Sequence, residues 1–441
     1  MGKDNYAATL TAHVFRLLIA IAAQFDLDIY QLDAINAFSN SKLNKEIYIW
    51  FPEGFEQSGS CLHLLQALYS LWQSPLLWFT ELTSTLSVLG LHPVPEAECL
   101  YANDKLIVFF YVDDIAILTR PTDIAAYQSF RSELLNHYEM RDLGELKWFL
   151  GIRVIRDRPQ RKIWLCQDSY IDKIARTFHL TDGKAPPTPM AMDNLQPYTS
   201  KASAQEMYAY QCKIGSLTYP MTITWPDVTR MANKLSEFLH NPSPIHHSAA
   251  DRAIRYLYST KHLALEFGST DDCQRAFTGA SDAAYGDNSQ TRQSTEGLLF
   301  QLFGGPLDWK SVKQRTVTTS STEAELLALS HAAKDLYWWR RLFSQLTLYF
   351  EHDFVLHCDN QQTIRLMDTR MPKLVTKLKH IDIHNHWLRQ EIQEQRLQIN
   401  WLATSDMPAD SLTKALPRQK HQDFVRQLRL VDISSILSTI V

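Results

Sequence analysis

The apolar positions of this chain fall into segments of two periodicities. Residues 14–23 form an apolar stretch of helical character interrupted by Arg16, and residues 27–32 read as extended. Residues 106–112 and 115–118 are apolar, β-rich runs separated by two residues, which predicts strand, turn, strand. Tyr170, Ile171, Ile174, Ala175 and Phe178 recur at helical spacing and predict an amphipathic helix. Residues 249–258 are also helical in pattern. Further on, residues 298–303 and 354–358 read as strands, and residues 322–342 as a long helix with Leu326, Leu329, Ala333 and Leu336 on one face. Ser320 stands three residues before Glu323, a capping-box spacing at the start of that helix.

Two breaks divide these segments. Pro186, Pro187, Pro189 and Pro197 lie among Ser, Thr and Lys over residues 181–207, where neither periodicity survives, so a linker is expected there. Residues 268–272 form a weaker, polar break. Runs of strands followed by helices predict α+β and α/β architecture, and no internal repeat or low-complexity tract appears.

Composition narrows the classes. The chain has 441 residues, 45% of them hydrophobic, with 14 Gly and 18 Pro, which supplies several cores and excludes a disordered or collagen-like chain. Lys plus Arg (44) against Asp plus Glu (48) leaves a net charge of -4, so a polyanionic partner must be gripped by local basic patches. Arg153, Arg156, Arg158, Arg161 and Lys162 form one such run, suited to a phosphate backbone or to a solvated hairpin. The six cysteines contain no Cys-x-x-Cys pair, which argues against zinc and disulfide frameworks and for an intracellular compartment, cytoplasmic or nuclear. The apolar stretch at 14–23 is too short to span a bilayer, and Tyr6 stands where a myristoylation signal needs Ser or Thr, so no membrane association is expected.

Candidate chemistry rests on acids. Asp113 and Asp114 occupy the turn between the two most apolar strands, where adjacent carboxylates are either solvated turn residues or cation ligands. Asp33 ends an extended run on the face of Ile29, but Asp26 and Asp28 compete with it. Farther along, Asp282, Glu325, Asp359 and Asp410 sit at the ends of predicted elements, a set that suits two Mg²⁺ ions on a phosphodiester, each acid being also a plausible cap or surface residue. His380, His384 and His386 invite a metal reading, but a packed or nucleic-acid-facing helix is the expectation.

Several of these residues lie in recognisable strings. Gln31-Leu-Asp33-Ala-Ile-Asn-Ala-Phe38 with Glu46-Ile-Tyr48 and Pro52-Glu-Gly54-Phe55, then Ala67-Leu-Tyr-Ser-Leu-Trp-Gln73-Ser-Pro75 through Trp78, then Tyr111-Val-Asp113-Asp114, resemble successive polymerase motifs of copia-type LTR retrotransposon reverse transcriptases. Asp142-Leu-Gly144 through Phe149-Leu-Gly151 resembles the primer grip of that family. Ile214-Gly-Ser216 through Trp225-Pro-Asp227 and Ala253-Ile-Arg-Tyr-Leu257 resemble its segment between thumb and RNase H. Ser281-Asp282, Ser294-Thr-Glu-Gly297, Trp309-Lys-Ser311, Ser320 to Glu325, Cys358-Asp359-Asn360-Gln361, Lys379-His380-Ile-Asp382 and Ala409-Asp410 through Thr413-Lys414 resemble its RNase H domain.

The resemblance implies a reverse transcriptase palm and thumb followed by an RNase H-like domain. It assigns residues 1–155 to a palm with truncated fingers, 156–274 to thumb and connection including the linker at 181–207, 275–420 to the RNase H-like domain and 421–441 to a C-terminal tail. It implies that Asp33, Asp113 and Asp114, and separately Asp282, Glu325, Asp359 and Asp410, are catalytic and bind Mg²⁺, with Mn²⁺ as a substitute. Phe38 matches the aromatic gate against a ribose 2′ hydroxyl, Gln73 the residue that positions template and nucleotide, and Tyr111 the first residue of the YVDD motif. The implied partners are an RNA template, a DNA primer, an RNA/DNA hybrid and dNTPs.

Ser70, Trp72, Leu76 and Trp225 depart from the family pattern, which has Gly, a basic residue, Arg and Arg there. The chain opens just before the first motif, so the basic strands that grip the triphosphate are expected to be missing. The function implied is an RNA-directed DNA polymerase with RNase H. The alternative is a catalytically impaired retroelement remnant that only binds nucleic acid.

Overall fold

In the computed structural model, residues 6–55, 57, 59–192, 195–268, 276–350, 354–368, 379–394 and 396–440 are described, apart from the side chains of 368, 379–382, 385, 439 and 440. Two compact units result, one comprising Met1–Val14, Phe25–Leu150 and Arg341–Leu348, the other Phe15–Gln24, Gly151–Arg340 and Tyr349–Val441.

After α1 (Ala12–Gln24), the first unit runs through β1 (Asp28–Ala34), a ribbon of β2 (Lys42–Ile49) and β3 (Leu62–Gln66), and α2 (Ser74–Val88). It continues through β4 (His92–Val94), β5 (Ala97–Ala102), β6 (Leu106–Tyr111), β7 (Asp114–Thr119), α3 (Ile124–His137), β8 (Met140–Glu145) and β9 (Trp148–Phe149). An antiparallel sheet forms in the order β4-β5-β6-β7-β1-β8. Ile115, Ala116, Ile117 and Leu118 are all buried, so β7 is covered on both faces. That is why its sequence is a continuous apolar run instead of an alternation. Phe79 of α2 packs against Phe110 of β6, and Tyr127 of α3 stacks on Tyr30 of β1 at 4.1 Å.

The second unit continues with β10 (Ile152–Asp157), β11 (Lys162–Cys166), α4 (Asp168–Thr177), α5 (Ala204–Ile223), α6 (Thr229–Ser236), α7 (Pro244–Ser259) and β12 (Leu263–Gly268). The helices share one core that includes Ile171, Ile174, Tyr210, Trp225 and Leu257. Capping boxes at Ser203/Glu206 and Ser243/His246 start α5 and α7 by satisfying their first free N–H groups. The Pro-rich segment before α5 is irregular but pinned: Arg252 donates to Thr188, and Asn241 donates to the carbonyls of Tyr198 and Ser200.

Beyond it come β13 (Phe277–Ala284), β14 (Thr295–Leu302), β15 (Gly305–Lys313), α8 (Ser321–Gln345), β16 (Val355–Cys358), α9 (Gln361–Asp368), α10 (Lys379–Gln393), β17 (Gln398–Trp401), α11 (Arg418–Gln427), β18 (Leu430–Asp432) and α12 (Ser434–Ile440). Their sheet has the order β15-β14-β13-β16-β17, antiparallel through β13 and parallel from β13 to β17. Leu326, Leu329, Ala333 and Leu336 of α8 are buried, as the helical stripe predicts. Ser320 Oγ accepts from the Glu323 N–H (3.2 Å), but the Glu323 carboxylate reaches back to Thr319 instead of closing the box on Ser320.

The last residues are part of the packed structure. β18 pairs with β12, and Tyr256 of α7 donates to Asp227 (2.6 Å) and lies 2.8 Å from His421 Nε2 on α11. Arg16, the charge inside the first apolar stretch, is buried and satisfied. It donates to the carbonyls of Leu307, Thr222 and Ile223 and lies over the Trp309 ring at 3.9 Å, while burial pulls its pKa down to about 9. Among the described residues the cysteines are free thiols, and no helix is long and apolar enough to cross a membrane.

Candidate active sites

The β6–β7 hairpin sets the first acid cluster. Tyr111 pairs with Asp114 across the ladder, leaving Val112 and Asp113 as the two turn residues. Val112 takes φ +57°, a conformation a β-branched residue adopts only under strain. The turn is clamped from both sides: Trp78 Nε1 donates to the Val112 carbonyl (2.7 Å), and the Ala34 N–H donates to the Asp113 carbonyl (3.0 Å).

Register then selects among the competing acids. Asp33 lies directly across from Asp114, whereas Asp28 lies across from Thr119, at the far end of the strand. On its other side Asp33 faces Arg141 of β8, whose guanidinium is 3.9 Å from Oδ2. Gln31 donates to Asp114 Oδ1 (3.0 Å). Burial raises the Asp114 pKa, Gln31 opposes the rise, and Asp113 and Asp33 add to it. Phe38 packs against Tyr69 at 4.7 Å, Tyr111 is half-buried, and Gln73, just ahead of α2, has a buried Nε2 with no hydrogen-bond partner.

The second cluster is drawn from four separate elements. Asp282 lies on β13, Asp359 follows the neighbouring parallel strand β16, Glu325 is in the first turns of α8, and Asp410 sits in a 3₁₀ turn, Pro408–Leu412. Carboxylate oxygens of Asp282, Asp359 and Asp410 lie within 4.8 Å of one another, and Glu325, Cys358 and Asp359 form an overlapping group of the same span. Asp282, Glu325 and Asp410 are buried, and Glu325 Oε2 has no hydrogen-bond partner.

Burial is the largest cause of raised pKa values at both Asp282 and Glu325. At Asp282 the Thr413 hydrogen bond and the Lys414 charge pull back; at Glu325 the charges of Asp282 and Asp359 push further up. Such crowding is relieved by proton uptake or by a bound cation. The oxygen-rich donor set fits a hard divalent ion, and burial pushes the Cys358 thiol up, away from the thiolate form.

Sequence reasoning named Gly297, Thr413 and Lys414 within motifs but gave them no task. Gly297 lies across the ladder from Asp282, and a Cβ there would meet the Ala409 carbonyl at 2.5 Å and Thr413 Cγ2 at 2.8 Å. The missing side chain is what lets the Asp410 turn close onto β13. Thr413 donates to Asp282 Oδ2 (2.6 Å), Lys414 pairs with Asp410, and Thr404 donates to Asp359 Oδ2 (2.8 Å). The histidines stay outside the cluster: His384 Nδ1 bonds Ser330 Oγ (2.7 Å), His386 is exposed, and the side chains of His380 and Asp382 lie outside the described residues.

The chain is 33% identical over 421 residues to the Retrovirus-related Pol polyprotein from transposon TNT 1-94 of Nicotiana tabacum, a match that covers 92% of this chain and 31% of that protein. It is 30% identical to a transposon Ty5-1 protein of Saccharomyces cerevisiae over 69% of this chain and the whole of that protein. The chain belongs to the copia-type retrotransposon Pol family. The family described as reverse transcriptase (RNA-dependent DNA polymerase) matches residues 3–192. A foamy viral protease-reverse transcriptase solved with an RNA/DNA hybrid has the same fold, with a TM-score of 0.51 at 13% identity over 93% of this chain and 48% of that one. The fold is thus a reverse transcriptase palm and thumb followed by an RNase H-like domain, in a chain that spans about a third of the tobacco Pol polyprotein.

Departures from the Pol pattern can now be placed. Ser70 takes φ +73°, so the backbone does adopt the left-handed turn for which the family has Gly. Trp72 is exposed, and Trp225 is wholly buried in the helical core, so the family's Arg is replaced there by packing. In the basic run, Arg153 pairs with Asp168 (3.1 Å) and Lys162 with Glu266 (3.0 Å), which commits both charges within the chain.

Proposed function

We propose that the chain is the RNA-directed DNA polymerase and ribonuclease H portion of a copia-type Pol polyprotein. In this reading residues 1–155 form the palm with truncated fingers, 156–274 the thumb and connection, 275–420 the nuclease domain and 421–441 a C-terminal tail, whose β18 pairs with β12 of the connection. The observation that carries it is the gathering of Asp282, Glu325, Asp359 and Asp410 with an unpartnered Glu325 oxygen in their midst, an arrangement that is costly unless it serves a cation.

Asp33, Asp113 and Asp114 would hold divalent cations, Mg²⁺ or Mn²⁺, in the palm, and the four later acids would do so in the nuclease domain. Bound there, such ions would supply activation of the attacking oxygen and stabilisation of charge on the leaving one. The protein groups divide the remaining work. Gln31 fixes the orientation of Asp114, and Arg141 offsets the charge of Asp33. Phe38, braced by Tyr69, forms the wall that excludes a ribose 2′ hydroxyl, and the free Gln73 donor serves the incoming dNTP and template. Tyr111 fixes the hairpin register. In the nuclease domain Thr404 orients Asp359, and burial of Asp282 and Glu325 keeps bulk water from competing for their oxygens.

The test uses a labelled RNA/DNA hybrid and a primed RNA template with the same purified chain in Mg²⁺. The expected result is hybrid cleavage lost in Asp282→Asn and primer extension lost in Asp113→Asn. A folded chain that does neither overturns the reading.

A further inference from the structure

We infer that Thr413 and Lys414 are positioning residues of the nuclease site: Thr413 fixes Asp282 for ligation, and the Lys414 ammonium is a built-in counter-cation that holds Asp410 in the cluster and yields to a divalent ion. This rests on the cation-binding reading of the four acids proposed above.

Two adjacent side chains reach two different acids. Thr413 is buried; its hydroxyl lies 2.6 Å from Asp282 Oδ2 and 2.9 Å from the Asp410 carbonyl, and its single proton goes to the nearer and charged acceptor, Asp282. Thr413 thus engages one oxygen of a carboxylate that also offers an oxygen within 4.8 Å of those of Asp359 and Asp410. A hydroxyl suits this task because it fixes a carboxylate without adding a charge that would repel an incoming cation.

Lys414 differs in kind. Its Nζ contacts Asp410 Oδ1, and its field also reaches Asp282 and Asp359. The side chain is half exposed, at 49%, whereas the Asp410 side chain is at 12%. The ammonium therefore has a path to solvent that the carboxylate lacks. Before a cation arrives, one positive charge offsets part of the repulsion among four acids. Once a doubly charged ion occupies the cluster, the same ammonium is repelled and swings outward. Gly297 keeps the turn bearing both residues against β13, so they act on the acids from a fixed platform.

The test measures Mg²⁺ binding by calorimetry and thermal stability in EDTA for the full chain, its Lys414→Met, Lys414→Arg and Thr413→Val variants, and Asp282→Asn. Lys414→Met is expected to bind Mg²⁺ more tightly, on the order of tenfold from the lost repulsion, while melting earlier in EDTA. Lys414→Arg, which keeps the charge, should restore both values. Thr413→Val should weaken Mg²⁺ binding by roughly 10-fold or more, in the range of lost ligand-orienting partners. A purely structural role for Lys414 would lower stability without tightening Mg²⁺ binding. Unchanged or weaker binding in Lys414→Met, with wild-type binding still dependent on Asp282, overturns the counter-cation assignment alone. Unchanged binding in Thr413→Val overturns the Thr413 assignment. Absence of Asp282-dependent Mg²⁺ binding in the wild type overturns this inference together with the reading beneath it.

Discussion

The two acid clusters solve the same electrostatic problem in opposite ways. In the palm, Asp33, Asp113 and Asp114 come from one hairpin and its neighbouring strand, remain half-exposed, and have Arg141 and Gln31 at hand. In the RNase H-like domain the acids come from four elements spread over residues 282–410, three of them buried, with carboxylate oxygens of Asp282, Asp359 and Asp410 within 4.8 Å of one another and Glu325 in an overlapping group with Asp359. Water screens the first cluster, so it tolerates the absence of a cation; the second is crowded and desolvated, and stores a penalty that a cation relieves. Among the described residues, the groups with metal-ligand spacing lie in the RNase H-like domain alone.

This contrast can be broken in several ways, beginning with the largest effect. Asp282→Asn should reduce hybrid cleavage on the order of 10³-fold or more, the scale of several kcal/mol of metal-assisted stabilisation, and leave primer extension intact; Asp113→Asn should do the reverse. Loss of both activities in either variant would mean that the clusters are not independent.

Gly297→Val comes next. The new side chain collides with the Ala409 backbone and Thr413, so the Asp410 turn must shift; denaturant titration should show a loss of about 1–3 kcal/mol, and cleavage should fall with it. Unchanged stability and cleavage would show that the turn can move without cost.

Third, the metal-free chain should be stabilised by removing a carboxylate. Glu325→Gln in EDTA is expected to raise stability near neutral pH by about 1–4 kcal/mol, read as an increase in Tm, because the folded chain must take up a proton at this buried carboxyl that the unfolded chain has released, and Gln needs none. The pH dependence follows from the direction of the shifts. Asp282 and Glu325 have folded-state pKa values raised above those of the unfolded chain, so the folded state holds their protons more tightly. Without metal, stability is therefore highest in the ordinary carboxylate range and is lost as pH rises toward and beyond neutrality. Mg²⁺ should flatten that profile, and Glu325→Gln should flatten it without Mg²⁺. A metal-free profile that rises with pH over this window would contradict the crowding argument.

The smallest effect concerns the palm side. Ser70→Gly removes the strain of φ +73° and should add about 1 kcal/mol of stability without changing cleavage, measured by urea unfolding. A loss would mean that the Ser side chain contributes more than its backbone costs.

Much of this was legible from residue order. The hairpin around Asp113 and Asp114 could be read because its strands are buried on both faces and carry uninterrupted apolar runs, and the α8 stripe because one helix face meets one sheet. By spacing alone Asp33 was one of three acids, and the family motif singled it out. The physical reason is the register of β1 against β7, a relation between segments about 80 residues apart. Trp225 shows the opposite limit. In the sequence it was only a departure from the family's Arg, whereas the fold buries it among helices whose approach no local pattern encodes.

By itself, the sequence determined the family and the main elements and named the candidate acids, because periodicity and motif spacing are local properties of the chain. Tertiary structure decided which acids meet, how deeply each is buried and what surrounds them. Asp282 depends on Thr413 and Glu325 is pushed up by Asp359, partners that become neighbours only when β13, β16, α8 and the Asp410 turn converge. Pairwise electrostatics and desolvation act through space, and the chain acquires those distances only by folding.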